Sequence, residues 1–225
     1  GIHPDTCDLY RDVKIAFKEG ESSTVSMLKI IGEENAEALS FAFPTVTNFA
    51  LNFFLKLGFN QLYLMGVDLG FVDASQHHSA QSGYYDKDGK ELYNYAQENN
   101  TGLLIPGNFR SVVNTKHEFK IAKMIMEQSL AEHKVDCYNT SDGAKIQGTQ
   151  PLDIDNILLI SRPEQKAECL QSLESSFQKV PSIRFVEQYE AQYSKAKLLS
   201  ELSQLTTFLA KPLDSKDSIF TLVEA

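Results

Sequence analysis

Apolar positions are most regular in the first third of the chain, where they predict a helix. The segment from Phe49 to Leu57 is strongly apolar and has the length of a helix. Thr45 or Thr47 can cap its amino end, because a threonine hydroxyl accepts a hydrogen bond from a backbone N–H of the first turn. Gly58 predicts its carboxyl end, since glycine tolerates the left-handed backbone that often follows a helix.

A buried strand is predicted directly after this helix. The run from Gln61 to Val67 is apolar nearly throughout, which is typical of a strand covered on both faces. A helix, a glycine and a buried strand form half of an α/β unit with a parallel sheet. Asp68 ends the strand, and about 30 residues without periodicity follow in 72–101, a length typical of a lid or a binding loop.

The same kind of unit is predicted again farther along the chain. A helix is expected from Lys116 to His133, and Thr115 and Glu118 before and within it have the spacing of a capping box. A short strand from Lys134 to Tyr138 follows and ends in the turn 139–143. The fold class predicted from these units is α/β, with a mostly parallel sheet flanked by helices.

Helices dominate the pattern after Pro151. One is expected from Glu164 to Lys179 and one from Gln188 to Ala210, whose leucines lie on one face. We therefore predict an α/β domain in 1–150 and a helical carboxyl-terminal extension in 151–225. The leucine face should be buried, either within the chain or in a homo-oligomer formed through these helices.

Charge and composition exclude two classes of function. Lys and Arg total 21 against 30 Asp and Glu, which gives a net charge of −9. A nucleic-acid surface is therefore not expected, because it needs clustered cations to neutralise phosphates. There is no run of 18 apolar residues, so no membrane span is expected either.

Cysteine use and the start of the chain indicate a cytoplasmic protein. Cys7, Cys137 and Cys169 are far apart and in no CxxC spacing, which argues against a disulfide framework or a zinc site. The first residues lack the basic and apolar regions of a signal peptide. The chain opens on a loop without an initiator methionine, and we interpret it as a fragment.

Asp68 is the strongest single candidate for a site residue. Ligands of open α/β sheets bind beyond the carboxyl ends of the strands, and Asp68 stands at such an end. A functional role and a structural one, as a cap or an ion-pair partner, are equally open. His77 and His78 in the following loop suit general-base chemistry at neutral pH, but exposed loop histidines without a function have the same pattern.

Aromatic and cationic side chains add candidates for binding an anionic ligand. Tyr84 and Tyr85 can bond phosphate oxygens or stack on a base or sugar, and they can equally anchor their own loop. Arg110, before the second helix, can hold a phosphate or a carboxylate with two parallel hydrogen bonds.

The turn after the second strand is a further candidate anion site. Asn139, Ser141 and Lys145 lie in it beside glycines, and such loops can cradle an anion through backbone N–H groups. Neither GxGxxG nor GxxxxGK[ST] occurs, so a standard dinucleotide fingerprint and a P-loop are both excluded.

Two of these segments resemble the motility accessory factor (Maf) family. The first runs from Pro44 through the apolar helix and strand to Leu69. The second is Tyr138–Thr149, which reads YNTSDGAKIQGT and is the more specific of the two. The opening Gly1–Asp5 also looks like a stretch of that family's central domain. Together the resemblance covers about residues 1–150.

The resemblance implies a fold and an activity. Maf proteins are bacterial and cytoplasmic, and they are implicated in glycosylating flagellin with nonulosonic acids such as pseudaminic or legionaminic acid. Their central domain is similar to bacterial sialyltransferases and to MptE-like 6-hydroxymethylpterin diphosphokinases. A Rossmann-like core, a CMP-sugar donor and flagellin as acceptor partner are therefore implied. The core is expected to be partial, because the family's glycine-rich nucleotide loop lies upstream of the segment that matches Gly1.

The resemblance also suggests roles for the candidates. The reaction would displace CMP from the sugar by a hydroxyl of serine or threonine, and it needs a base and partners for the leaving phosphate. The catalytic candidates are Asp68, His77 and His78. The candidates for substrate or nucleotide binding are Thr47, Asn48, Tyr84, Tyr85, Arg110, Asn139, Ser141 and Lys145. No metal or other cofactor is required.

One departure from the family pattern concerns the base. The related sialyltransferases carry a catalytic histidine shortly before the helix that matches Lys116 to His133. This chain has Asn108, Phe109 and Arg110 there. That base is therefore not transferred, and His77 or His78 is offered in its place by residue type and loop position.

Two alternatives remain open. A pterin pyrophosphokinase would need Mg²⁺ and a carboxylate set, for which Asp68 and Asp73 form the nearby pair. A non-catalytic flagellin-binding or assembly module would use the helical tail, 164–210, to dock a partner helix.

Overall fold

The computed structural model describes residues 4–32, 36–72, 83, 86–90, 92, 102–160, 162–179 and 182–210. The described strands are β1 Phe17–Lys18, β2 Ala38–Leu39, β3 Gln61–Leu64, β4 Leu103–Pro106, β5 Val112–Thr115, β6 Asp136–Asn139 and β7 Thr149–Pro151. The described helices are α1 Pro4–Cys7, α2 Ser22–Ile31, α3 Val46–Lys56, α4 His117–Glu132, α5 Pro163–Ser175, α6 Ser182–Tyr193 and α7 Lys195–Leu209, with a 3₁₀ turn at Ile154–Asn156.

The largest described sheet has three parallel strands in the order β3, β6, β7. In its register Leu64 lies opposite Asn139, and Asn139 lies opposite Pro151. Strands β1 and β2 form a short parallel pair, whereas β4 and β5 form an antiparallel hairpin. The α/β class with mostly parallel pairing is confirmed, and the carboxyl ends of β3 and β6 meet at one edge of the sheet.

Helix α3 and strand β3 follow the signals of the sequence closely. The Thr45 hydroxyl accepts a hydrogen bond from the Asn48 N–H, so Thr45 rather than Thr47 is the cap. Gly58 has a φ of 83°, as the residue after a helix often does. The strand ends at Leu64, three residues earlier than predicted, because Met65 and Gly66 turn outward and are exposed.

The capping box predicted for helix α4 is wrong. Lys116 precedes the helix, without a capping bond from its side chain, and Thr115 belongs to strand β5. The Thr115 hydroxyl is fully buried and donates to the backbone oxygen of Leu69 at 2.8 Å. A tertiary bond to the loop after β3 therefore takes the hydroxyl that the local pattern assigned to the helix.

The core lies between the three-stranded sheet and helices α3 and α4. Its fully buried members include Ala122 and Met126 of α4, and Ile146 of the loop after β6. Asn48 of α3 is also fully buried, and its amide donates to the backbone oxygen of Ala122 at 2.9 Å. This bond joins the two helices that cover one face of the sheet. None of the described helices has the combination of length and apolar character that crossing a membrane requires.

The described residues form two compact units. The first contains those up to Thr24 and those from Glu37 to Phe177, and the second contains those of 25–36 and those from Gln178 onward. Helix α5 thus belongs to the first unit. The domain division at residue 150, into 1–150 and 151–225, remains a prediction.

Helices α6 and α7 correct one prediction in the second unit. A single helix was expected from Gln188 to Ala210, but the described chain breaks at Ser194, whose hydroxyl accepts from the Lys197 N–H and caps α7. The leucines of α7 are all exposed; they are Leu198, Leu199, Leu202, Leu205 and Leu209. Association through these helices stays a prediction.

Candidate functional site

The loops that follow β3 and β6 are hydrogen-bonded to each other at the carboxyl edge of the sheet. Thr140 donates to the Leu64 carbonyl twice, from its backbone N–H at 3.0 Å and from its hydroxyl at 2.9 Å. The buried Ser141 hydroxyl accepts from the Val67 N–H at 2.9 Å. The strand-end loops predicted as separate candidate sites therefore form one structure.

Asp68 and Gly143 make the closest approach between these loops. The Asp68 carbonyl accepts from the Ala144 N–H at 2.7 Å. A Cβ atom at residue 143 would lie 2.0 Å from that same carbonyl oxygen. Only glycine fits at 143, and the Asp68 backbone is thus held in place at the edge of the sheet.

Asn108, at the tip of the β4–β5 hairpin, binds the loop after β6 at three points. Its side-chain amide donates to the carbonyls of Asn139 and Ser141, each at 2.9 Å, and its backbone N–H donates to the Gly143 carbonyl at 2.9 Å. Its side-chain oxygen is buried and has no hydrogen-bond partner within the described part of the chain. One residue therefore fixes three alternating carbonyls at the end of β6 and the start of the loop.

Arg110, two residues farther along the hairpin tip, is paired with Asp142. Its Nε lies 2.7 Å from Asp142 Oδ2, and a second guanidinium nitrogen binds the same oxygen. This hydrogen bonding and the charge of Asp142 raise the pKa of Arg110 above its ordinary value. Both side chains are about half exposed, so a ligand in solution can reach the pair.

The carboxyl of Asp68 has a pKa above its ordinary value. Partial desolvation by the surrounding protein is the main cause, and the nearby Asp142 carboxylate adds to it. Asp68 is exposed as a residue, so this desolvation is only partial. Asp68, Arg110 and Asp142 together place two carboxyls and a cation at the carboxyl edge of the sheet, which can hold an anionic ligand and exchange a proton with it.

Four backbone N–H groups of the loop after β6 are engaged in hydrogen bonds with other parts of the protein or with the Asn139 side chain. Those of Thr140, Ser141, Ala144 and Lys145 donate to Leu64, to the Asn139 side chain, to Asp68 and to Pro106. The fully buried Asn139 side chain also donates to the Ala144 carbonyl. We expected these N–H groups to cradle an anion, but four of them instead hold the loop in shape. The Lys145 side chain is exposed at its surface.

The remaining candidates divide into two groups. Thr47 is half-buried in the first turn of α3, and Asn48 holds α3 against α4. Their roles in binding a substrate stay predictions. His77, His78, Tyr84 and Tyr85 lie outside the described residues, as does Asp73.

Two further features of the described residues, a cavity and a buried thiol, do not belong to this site. A cavity of about 140 Å³ is lined by Glu37, Lys56 and His133, among others, and by none of the residues of the loops after β3 and β6. Burial raises the pKa of the Cys137 thiol to about 11, so this thiol stays protonated at neutral pH. No group of three or more metal-ligating side chains occurs in the part of the chain that the structure describes.

Sequence reasoning missed Asn108 and Asp142 as members of this site. Asn108 was noted only as a residue before the helix, and Asp142 only as part of a turn. Two short apolar runs, at 103–105 and 112–113, flank a connection that contains Gly107, and this is a signal of a hairpin with a longer loop, which would have placed 107–110 at a tip. Nothing local indicates that this tip reaches a loop more than 30 residues away.

No protein-family model and no curated protein matches the sequence. Among solved structures, the chain is similar to the Maf glycosyltransferase from Magnetospirillum magneticum AMB-1, with a TM-score of 0.73 and 24% sequence identity. The match covers 98% of this chain and 32% of that protein, so the chain spans about a third of its length. At this identity the likeness shows the fold, and it confirms the fold that the resemblance implied.

Proposed function

We propose that the chain is part of a Maf-type glycosyltransferase of the bacterial cytoplasm. The longer protein would transfer a nonulosonic acid from a CMP-sugar to serine or threonine hydroxyls of flagellin, in flagellar assembly and motility. The observation that carries this proposal is the likeness of fold, over 98% of the chain, to a protein named as a Maf glycosyltransferase. The resemblance of Tyr138–Thr149 to the family supports it independently.

The position of the Asp68–Arg110–Asp142 group supports a transfer reaction at this edge. In the proposed step a hydroxyl oxygen of flagellin attacks the anomeric carbon, and the bond from that carbon to the CMP phosphate oxygen breaks. CMP leaves with the electron pair, and a base takes the hydroxyl proton. Asp68 suits proton exchange because its pKa is raised, and Arg110 suits the leaving phosphate. His77 or His78 remains the alternative base.

The test is an assay of the full protein encoded by the gene that contains this chain. Purified flagellin and CMP-activated pseudaminic or legionaminic acid are supplied, and the mass of flagellin is measured. We expect an increase of one or more sugar masses. Asp68→Asn should lower the rate at least about 100-fold, as loss of an acid–base group does. The matched variant Asp12→Asn, which makes the same change of charge at an exposed position, should keep the wild-type rate.

Two results would overturn the proposal in favour of the alternatives. A stable complex with flagellin, without any transfer from either CMP-sugar, would indicate a binding or assembly module. Pyrophosphoryl transfer from ATP to 6-hydroxymethylpterin that depends on Mg²⁺ would indicate the pyrophosphokinase. Mass spectrometry of both candidate products distinguishes the two transfer reactions, and the absence of both products together with a stable flagellin complex identifies the binding module.

A further inference from the structure

The Arg110–Asp142 pair is held by a rigid backbone on both sides. Asn108 fixes the carbonyls of Ser141 and Gly143, which lie on either side of Asp142, and the Lys145 N–H donates to the Pro106 carbonyl at 2.8 Å. The two charged side chains project from backbone that is already hydrogen-bonded. Their pairing therefore does not depend on a chance meeting of two loose side chains, as in most surface ion pairs.

One edge of the Arg110 guanidinium is hydrogen-bonded to Asp142. Nε and one terminal nitrogen both bind Asp142 Oδ2, and these are two of the nitrogens that a bidentate phosphate or carboxylate would use. An oxyanion that binds this side of Arg110 must displace the Asp142 carboxylate. The displaced carboxylate then lies near the anion and repels it.

We propose that Asp142 competes with oxyanion ligands for Arg110 and weakens all of them by a similar factor, so that a small anion such as free phosphate binds too weakly to occupy the site. A phosphate attached to a larger ligand overcomes this competition, because the rest of the ligand contributes binding that free phosphate lacks. This repulsive element sets how much additional binding a phosphate ligand must supply to occupy the site. The identity of the larger ligand rests on the proposed function. The competition between Asp142 and an oxyanion rests on the geometry of the Arg110–Asp142 pair.

The experiment measures the binding of inorganic phosphate, CMP and cytidine to the protein by titration calorimetry at low salt. Asp142→Asn should tighten the binding of phosphate and of CMP by a similar factor, about three- to tenfold, because one repulsive charge is removed a few ångströms from the anion. Cytidine carries no phosphate, so its affinity should not change. The gain should shrink at high salt, since exposed charges are screened.

Three variants separate competition from a merely structural role. Asp142→Glu keeps the charge and should bind phosphate as weakly as the wild type. Asp12→Asn makes the same charge change elsewhere and should have no effect. Arg110→Gln should weaken phosphate binding in both the wild-type and the Asp142→Asn background. The NMR signal of the Arg110 Nε–H should shift on addition of phosphate to Asp142→Asn at lower concentrations than in the wild type.

A phosphate affinity in Asp142→Asn that is within twofold of the wild type, or weaker, overturns the inference. If CMP binds all variants equally, the inference fails while the proposed nucleotide-sugar donor stands. If Asp142→Asn gains affinity for phosphate but no variant binds CMP more tightly than phosphate, the competition stands and the proposed donor fails.

Discussion

The backbone carbonyl of Asp68 occupies the space that a side chain at residue 143 would need. A Cβ atom at Gly143 would lie 2.0 Å from this oxygen, and the next N–H, that of Ala144, donates to the same oxygen at 2.7 Å. The two strand-end loops are thus joined backbone to backbone. The first consequence is that the glycine between them is required by the structure.

Gly143→Ala should destabilise the protein by about 1–3 kcal/mol or more, because the added methyl group overpacks against backbone that cannot move aside. Urea denaturation of wild type and variant gives the difference. Gly102→Ala is the matched control, since a Cβ there meets no atom within 4 Å. Equal stability of the two alanine variants would contradict the close approach.

Asn108→Ala should free the loop after β6. The variant loses two side-chain hydrogen bonds to the carbonyls of Asn139 and Ser141, and we expect a cost of about 1–3 kcal/mol. Hydrogen exchange should accelerate at the Ala144 and Lys145 amides in particular. Asn60→Ala, at an exposed asparagine before β3, should leave both quantities unchanged. Unaltered exchange in Asn108→Ala would mean that the hairpin tip does not hold the loop.

The raised pKa of Asp68 predicts a specific dependence of stability on pH. The folded state binds the proton of this carboxyl more tightly than the unfolded state, whose pKa is near 3.8. The stabilisation of the folded state by this tighter proton binding is fully present below pH 3.8 and is lost as pH rises through the folded pKa. Asp68→Asn does not titrate, so its stability relative to the wild type should increase from acid to neutral pH. Urea denaturation at a series of pH values measures this difference.

Asp142→Asn provides the control for that pH dependence. Because the charge of Asp142 contributes to the raised pKa of Asp68, its removal should bring this pKa closer to its ordinary value. NMR titration of the Asp68 side-chain carboxyl in both proteins reads the change directly. A pKa of Asp68 that is at or below 3.8 in the wild type would refute the prediction.

Two methionines of helix α4 test the placement of the core. Met126 is fully buried against the sheet, whereas Met124 is 57% exposed. Met126→Ala should cost about 2–5 kcal/mol, since it removes buried apolar surface and leaves a cavity. Met124→Ala should change stability by less than about 0.5 kcal/mol, as exposed substitutions usually do. If Met124→Ala were more destabilising than Met126→Ala, the face of α4 that contains Met126 would not be the one that packs in the core.

Local signals in the sequence were sufficient to predict helix α3 and the start of strand β3. The cap at Thr45 and the glycine at 58 lie next to the helix that they delimit, and the helix ends within one residue of the predicted Leu57. Ser194 carried a comparable signal, because serine is a preferred helix cap, and the split between α6 and α7 was available from the sequence.

Contacts between distant segments could not be predicted in the same way. Thr115 has the spacing of a capping box, but its hydroxyl bonds to Leu69, 46 residues earlier. Asn108 binds carbonyls 31 and 33 residues later. The site depends on such bonds, so the sequence indicated the strand ends where it lies but not the residues that shape it.

The second compact unit combines residues of 25–36 with residues from Gln178 onward. During synthesis its first part leaves the ribosome long before its last part exists. The entire segment between them, which holds both strand-end loops and helix α4, is translated in that interval. The second unit therefore closes only after the first has been made, and a chain that stalls before Gln178 contains only residues 25–36 of the second unit.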